Sequence, residues 1–420
     1  MSDSRSAQLR IMAFVSSVDV LGFGVLIPLI PYMGERFGAS PGVITAILGS
    51  YSLCQLIAAP FWGRLSDRYG RRPILISSLA GACVSYAILG MANGLGLLLL
   101  SRMLAGFMAG NLAAAFAYAS DVSAPEDRAK SMGLIGAAIG VGFMFGIPIG
   151  GTLAGNHAAT ANFVRPALLS VVLSLSAILL VKFKLPESRP AGERAARHER
   201  GPRPLQLLRE RPRLRTIAGS ALLVICSQGI LESIFVIWAF DRFGAGPETV
   251  GLALFGVAVL TVLMQGGFVR RLAPRFGEAR LGAFGAATYA VGLIIVGVAG
   301  RDLPLIGGGL ALAGLGMGAF TPSASALASR QAHGSDRGAV MGTYQASTSL
   351  ARVIGPFASG YLYQLIGANA PFIAGACLSL PAAWLLWRVR RGARDFEAGS
   401  ADGAATTASV PSERSTRPGR

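Results

Sequence analysis

Long apolar stretches alternate with short polar loops along most of the chain. Each stretch has about 20 residues, the length of helix that crosses a bilayer core of about 30 Å. The stretches are too long, and alternate too little between apolar and polar residues, to be strands of a membrane barrel. The pattern predicts an all-α polytopic membrane protein with twelve transmembrane helices. The predicted spans are 11–33, 43–62, 74–93, 95–119, 130–154, 162–183, 214–240, 248–270, 279–299, 303–329, 338–363 and 370–388.

The composition supports a membrane protein. Of the 420 residues, 52% are hydrophobic and only 14% are charged, whereas a soluble protein has about 25% charged residues. A net charge of +17 is compatible with nucleic-acid binding, but the basic residues stand in short groups between apolar spans. A nucleic-acid-binding domain instead collects them on one solvated face, so we expect the lipid bilayer and no nucleic acid as a partner.

The distribution of basic residues predicts the orientation. Of 38 Lys and Arg residues, 32 lie at the termini or in loops after even-numbered spans, and four lie in the opposite loops. Because positive loops stay in the cytoplasm, both termini are predicted to be cytoplasmic. The predicted divisions are a cytoplasmic N-terminus (1–10), a six-helix bundle (11–183), a cytoplasmic linker (184–213), a second six-helix bundle (214–391) and a disordered cytoplasmic tail (392–420).

The two halves of the chain resemble each other. Segment 35–41 reads ERFGASP and segment 241–247 reads DRFGAGP, and Gly146 and Gly151 match Gly355 and Gly360. The offset between matched positions stays between 206 and 209 residues. Two repeats of like orientation predict a pseudo-twofold axis along the membrane normal, with a substrate site near the midplane between the halves.

The loop after the second span reads GRLSDRYGRR and resembles the G-x-L-x-D-R-x-G-R-R signature of the major facilitator superfamily. The resemblance covers residues 10–390 and implies the fold of that superfamily, in which this loop is part of a conformational latch. An aspartate of the loop would then face the positive N-terminal end of the eleventh helix. The alternative, that the arginines only set the topology, does not explain the aspartate and the glycines. The predicted latch residues are Gly63, Asp67, Arg68, Gly70, Arg71, Arg72, Asp121 and Arg337.

The fifth span resembles the G-x8-G-x3-G-P-x2-G-G motif of drug–proton antiporters, with its proline one place late. Small residues at this density also allow close helix packing in lipid, which is the alternative explanation. The stretch DVLGFG at 19–24 in the first span and YASD at 118–121 after the fourth resemble tetracycline efflux pumps. Ser85 stands where those pumps have an aspartate, which counts against tetracycline as substrate. The motif residues are Gly133, Gly142, Gly146, Pro148, Gly150 and Gly151.

Four ionisable residues lie inside predicted spans: Asp19, Arg102, Glu232 and Arg352. Each costs at least about 2.5–3.5 kcal/mol at a bilayer centre, so each is a functional candidate. We hypothesise that Asp19 and Glu232 face the central cavity and carry protons, with Arg102 and Arg352 tuning them. A static Glu232–Arg352 pair is the structural alternative. Polar candidates for the substrate cavity are Asn111, Gln55, Gln228 and Gln345.

These features predict a proton-coupled antiporter that exports small lipophilic or cationic compounds by alternating access. The alternative is a major facilitator symporter or uniporter for a small metabolite. The three histidines are scattered and the four cysteines lack metal-ligand spacing, so we expect no enzyme activity, no metal and no cofactor. The expected partners are a small-molecule substrate and protons, and the protein is expected to be a monomer in a bacterial inner membrane.

Overall fold

A computed structural model describes residues 2–124, 127–188, 204–332 and 336–407. Within these ranges the chain forms sixteen α-helices. They are α1 (Ser2–Leu26), α2 (Leu29–Arg36), α3 (Pro41–Tyr69), α4 (Arg71–Gly90), α5 (Leu95–Met108), α6 (Asn111–Val122), α7 (Arg128–Ala154), α8 (Val164–Lys184), α9 (Pro204–Glu210), α10 (Pro212–Phe243), α11 (Pro247–Leu263), α12 (Val269–Phe276), α13 (Glu278–Val298), α14 (Leu303–Ser329), α15 (Arg337–Leu365) and α16 (Ala370–Thr407).

Eleven stretches of the described helices are long and apolar enough to cross a membrane. The predicted first span comprises α1 and α2, which are separated at Pro28, and the fourth comprises α5 and α6, which are separated at Ala109 and Gly110. The predicted eleventh span is helical in α15 but is not among the eleven, because it carries several hydroxyl and amide side chains and Arg352. The number of twelve transmembrane helices therefore stays a prediction.

The helices pack as two groups, α1–α8 and α10–α16, and the packing repeats between them. A β-carbon added to Gly146 on α7 would lie 2.5 Å from the backbone oxygen of Leu21 on α1. A β-carbon added to Gly355 on α15 would lie 2.5 Å from that of Cys226 on α10. The matched glycines of the two halves thus allow equivalent close helix contacts, so the repeat in the sequence is also a repeat in the packing.

We call the end of the bundle where α1 begins the proximal end, and the opposite end, with the loops after odd-numbered spans, the distal end. The halves contact each other distally, where α3 packs against α15 and α7 against α11. There the Tyr32 hydroxyl donates a 2.7 Å hydrogen bond to the backbone oxygen of Ala245. Toward the proximal end, added β-carbons on Gly136 and Gly140 of α7 and on Gly342 of α15 would have no such neighbour within 4 Å. We infer a conformation that is closed distally and open proximally.

The linker and the tail differ in part from the sequence-based expectations. The predicted linker contains the short helix α9, and its residues 189–203 lie outside the described part of the chain. The predicted disordered tail begins at residue 392, whereas α16 continues to Thr407. This extension is rich in alanine, the residue with the highest helix propensity. Residues 408–420 lie outside the described part, and the predicted domain limits stay predictions.

Candidate functional site

Three of the four ionisable residues predicted within the spans come together around one tyrosine, and the fourth lies near one of these three. Tyr51 on α3 is close enough to interact electrostatically with three of them, namely Asp19, Arg102 and Arg352. The fourth, Glu232, interacts in the same way with Arg352. The charges therefore form a continuous group that runs from the first half of the chain into the second.

Glu232 is exposed on a helix that is otherwise largely buried. Its neighbours Leu231 and Ser233 are only 4% and 3% exposed, whereas the Glu232 side chain itself is exposed. Gln228, one turn earlier, donates a 2.7 Å hydrogen bond from Nε2 to Glu232 Oε1. Because Arg352, its electrostatic partner, also interacts with Tyr51 of the first half, we infer that the exposed side of Glu232 faces the space between the halves.

Arg352 on α15 is exposed as well, and it interacts electrostatically with Tyr51 in one half and Glu232 in the other. In the described part of the chain no ion pair joins Arg352 to Glu232 within 4.0 Å. The two opposite charges therefore face the same cavity without a direct contact in this conformation.

Asp19 departs from the expectation that it faces the central cavity. It is 7% exposed and lines a small internal cavity of about 10 Å³ with residues of α1, α4 and α6. Because every residue that lines this cavity belongs to the first half, the Asp19 side chain points into its own bundle rather than toward the opposite half. Its location inside the first half corrects that expectation, while its role in proton coupling stays a prediction.

Arg102 on α5 is 1% exposed, so its guanidinium is enclosed by protein. Its Nε has a long 3.5 Å contact with Ser101 Oγ, and its Nη2 has no hydrogen-bond partner in the described structure. Nearby, Ser85 Oγ donates a 2.7 Å hydrogen bond to the backbone oxygen of Ser101. The Ser85 hydroxyl is thus hydrogen-bonded to the backbone, and it supplies no negative charge to the nearby Arg102.

The polar residues predicted to line the cavity are placed differently. Gln345 is exposed, while Gln55 and Gln228 are half-buried. The side chain of Asn111 lies outside the described part. The aromatic members of the group are not among the residues predicted from the sequence. They stand at mid-span positions like the charges, and only the tertiary structure brings them beside the charges. They are Tyr51, Tyr86, Tyr289 and Tyr344.

The signature loop at the proximal end forms a charge cluster around Arg71, which is 8% exposed. Its Nη1 donates to Asp67 Oδ1 at 2.8 Å and its Nε donates to Asp121 Oδ2 at 3.0 Å. The carboxylate of Glu187, which the sequence-based analysis did not single out, accepts the backbone N–H groups of Arg71 and Arg72 at 2.8 and 3.2 Å. These contacts lie within the first half and the start of the linker. The side chain of Arg337 lies outside the described part, so the latch role stays a prediction.

The second half has a different proximal cluster. Arg211, which immediately precedes α10, donates to the backbone oxygen of Gln331 at 2.7 Å and pairs with Asp336. Arg330 pairs with Glu278 at 2.6 Å. Since Pro274 replaces the aspartate of the signature in this half, an arginine from the linker region makes the contacts at this end.

The glycines of the fifth-span motif face two directions. β-Carbons added to Gly142 and Gly150 would lie closer than 3.0 Å to backbone oxygens of α1, and Gly146 packs on α1 as described above. Gly151 instead approaches the backbone oxygen of Pro247 on α11, in the other half, and Pro148 lies near Gly251 of that helix. A β-carbon on Gly133 would have no such neighbour within 4 Å. The motif therefore combines packing within the first half with part of the distal contact between halves.

No group of three or more His, Cys, Asp or Glu side chains placed to hold a metal ion occurs in the described part of the chain. The sequence model described as Major Facilitator Superfamily matches residues 12–299 and 217–415. The tetracycline resistance protein, class C, of Escherichia coli is 31% identical over 399 residues, which are 93% of this chain and 98% of that protein.

A second kind of relative comes from animals. The human major facilitator superfamily domain-containing protein 10 is 26% identical over 431 residues, which cover 91% of this chain and 92% of that protein. The crystal structure of the human organic anion transporter MFSD10 (TETRAN) matches with a TM-score of 0.70 and covers 91% of this chain and 99% of that one. Both similarities extend over nearly the whole chain.

Proposed function

Because the chain belongs to the Major Facilitator Superfamily, we propose that it is a proton-coupled antiporter that exports small lipophilic or cationic compounds. As a member of that family it is a multi-pass membrane transporter and not an enzyme. Transport would proceed by alternating access, in which the two halves rock around the central group of charges. The conformation with an open proximal end is one of the two states that such a cycle requires.

The observation that carries this proposal is the position of Glu232. Its carboxylate is exposed to the space between the halves and has one amide hydrogen bond from Gln228. A carboxylate in such a cavity binds a proton or a cationic ligand, but the two compete for the same oxygens. This competition makes exchange obligatory, because the cavity reorients with one or the other bound.

The predicted orientation identifies the side of the membrane to which this conformation is open. With the basic proximal loops in the cytoplasm, the proximal opening admits compounds from the cytoplasm and the distal closure faces outward. The relative from Escherichia coli, named as a resistance protein, supports export and a location in a bacterial inner membrane. Ser85 in place of the carboxylate of tetracycline pumps supports a substrate other than tetracycline.

A second candidate is the export of organic anions. Arg352 is exposed to the cavity, so an anionic group would find a cationic partner there. The solved structure of MFSD10, which is 26% identical, is that of an organic anion transporter. The two candidates differ in which charged cavity residue the substrate needs.

The experiment uses purified full-length protein in liposomes that contain a pH-sensitive dye. Tetraphenylphosphonium serves as the lipophilic cation and carboxyfluorescein as the organic anion. For a cation–proton antiporter we expect an imposed proton gradient to drive uptake of the cation against its gradient, with protons moving in the opposite direction. Glu232→Gln should reduce this flux at least tenfold, while Glu210→Gln, which removes a surface carboxylate from α9, should leave it unchanged.

The other outcomes separate the alternatives. Flux of carboxyfluorescein that depends on Arg352 would favour the anion exporter. Protons that move in the same direction as the substrate would indicate a symporter, and substrate flux without proton flux would indicate a uniporter. Full proton-driven flux of the cation in Glu232→Gln would contradict the mechanism.

A further inference from the structure

The distal closure contains two carboxylates that the proposed transport cycle does not yet use. Glu35 lies near the end of α2 and Asp241 near the end of α10. They are the first residues of the matching segments ERFGASP and DRFGAGP. Repeats related by an axis along the membrane normal bring matched residues near that axis face to face. In the structure the two carboxylates are close enough to interact electrostatically.

The arginine next to Glu35 does not neutralise this pair. Arg36 Nη2 donates to the backbone oxygens of Ala158, Ala159 and Ala161 at 3.0–3.1 Å. Its guanidinium also lies over the Phe163 ring, 4.5 Å from the centroid. These contacts hold Arg36 on the loop between α7 and α8 of its own half.

The arginine next to Asp241 is held in the same way in the second half. Arg242 lies 5.7 Å from the centroid of the Trp238 ring and donates from Nη1 to Asn369 Oδ1 at 3.4 Å. Asp241 itself accepts a 2.6 Å hydrogen bond from the Tyr363 hydroxyl. No ion pair within 4.0 Å involves Glu35 or Asp241 in the described part of the chain.

The pair lies where the halves are joined. The hydrogen bond from Tyr32 to Ala245 connects α2 to the end of α10, next to both carboxylates. Glu35 is half-buried and Asp241 is exposed, so protons reach them from the distal side. When the halves close, two like charges approach each other, which costs free energy unless one of them takes up a proton.

We propose that Glu35 and Asp241 form a proton-operated gate, in which one proton bound to the pair stabilises the distal closure. The proton comes from water on the distal side and binds a carboxylate oxygen, so that one negative charge replaces two. Loss of that proton restores the repulsion and favours separation of the halves. This inference rests on the proposed antiport. There, the protonated transporter must be the form that closes distally and returns its cavity to the proximal side.

The gate is distinct from the central charges, which lie within the spans. The elements at the distal end carry other titratable or charged side chains. They are Tyr32, Arg36, His157, Arg165, Arg242, Glu248, Arg301, Asp302, Tyr361 and Tyr363. Removing the two carboxylates specifically, with another distal acid as the control, therefore separates the effect of the pair from that of its neighbours.

The test measures the distance between spin labels on introduced cysteines at Thr160 and Leu303, one in each half, in the full-length protein. The native cysteines Cys54, Cys83, Cys226 and Cys377 are replaced by serine. Between pH 8.5 and 5.5 we expect the ratio of closed to open distances to rise about tenfold, equivalent to one pK unit of coupling. Glu35→Gln combined with Asp241→Asn should be closed at both pH values. Glu35→Asp and the control Glu248→Gln should keep the response.

The proposal is overturned if the double variant keeps the pH response of the parent protein, or if the parent shows no response. It is also overturned if Glu232→Gln alone abolishes the response, because the central site would then sense the protons. The distance measurement needs neither substrate nor a gradient. If liposomes show no proton exchange while the gate still responds to pH, the proposed antiport fails and the gate remains.

Discussion

Alanine at Gly151 or at Gly360 is expected to hold the distal end of the transporter open. A β-carbon on Gly151 would lie closer than 3.0 Å to the backbone oxygen of Pro247 in the other half. A β-carbon on Gly360 would lie equally close to that of Pro41. The two contacts are related by the repeat, since both the glycines and the prolines are matched positions. The distal closure therefore contains two equivalent contacts with the same backbone geometry.

The size of the effect follows from what each methyl group meets. A backbone oxygen cannot move aside as a flexible side chain does, so the halves must separate by roughly 1 Å or the helices must deform. Inserting a methyl group into a well-packed contact costs typically about 1–3 kcal/mol. If this cost is paid only in the closed state, the ratio of closed to open protein falls by about 5–150-fold. The variant with both alanines should be more open than either single variant.

The assay is the distance between spin labels at Thr160 and Leu303, combined with initial transport rates in liposomes. The matched control is Gly140→Ala, also on α7, where the added methyl group has no neighbouring atom within 4 Å. This control should keep the distance distribution and the rate of the parent protein. Unchanged distances in both Gly151→Ala and Gly360→Ala would refute the reasoning, as would an equal opening in Gly140→Ala.

Three further substitutions test other contacts. Gly150→Ala adds a methyl group against a backbone oxygen of α1 within the same half, so we expect a loss of about 1–3 kcal/mol in stability, measured by thermal unfolding in detergent. Asp121→Asn removes one of the two carboxylates that pair with the guanidinium of Arg71, which is 8% exposed. Initial transport rates should fall about tenfold, equivalent to about 1.4 kcal/mol, and an unchanged rate would exclude a latch. Tyr32→Phe removes one hydrogen bond between the halves, worth about 1 kcal/mol, so the spin-label distances should show about fivefold less closed protein.

The sequence alone identified the membrane class, the internal repeat and the family, because these depend on local signals. Apolar runs of bilayer length and a ten-residue loop signature can be recognised without knowledge of the contacts. The helices of the predicted spans, including α15, are found where the apolar pattern places them. Because the polar residues of α15 keep it out of the eleven apolar spans, the total of twelve transmembrane helices stays a prediction. Hydropathy also flagged the four charges inside spans, since a charge in lipid is costly wherever it points.

Only the tertiary structure decided which way those charges face and which end of the protein is closed. Helical periodicity does not distinguish the face of α1 that meets its own bundle from the face that meets the other half, so only the tertiary structure shows that Asp19 is buried within the first half. The roles of Asp19 and Glu232 in proton coupling stay predictions. Likewise, nothing local shows that Glu35 and Asp241, 206 residues apart, meet at the distal end. Their proximity depends on how two rigid halves dock, and docking is set by the sum of many glycine and carbonyl contacts across the interface.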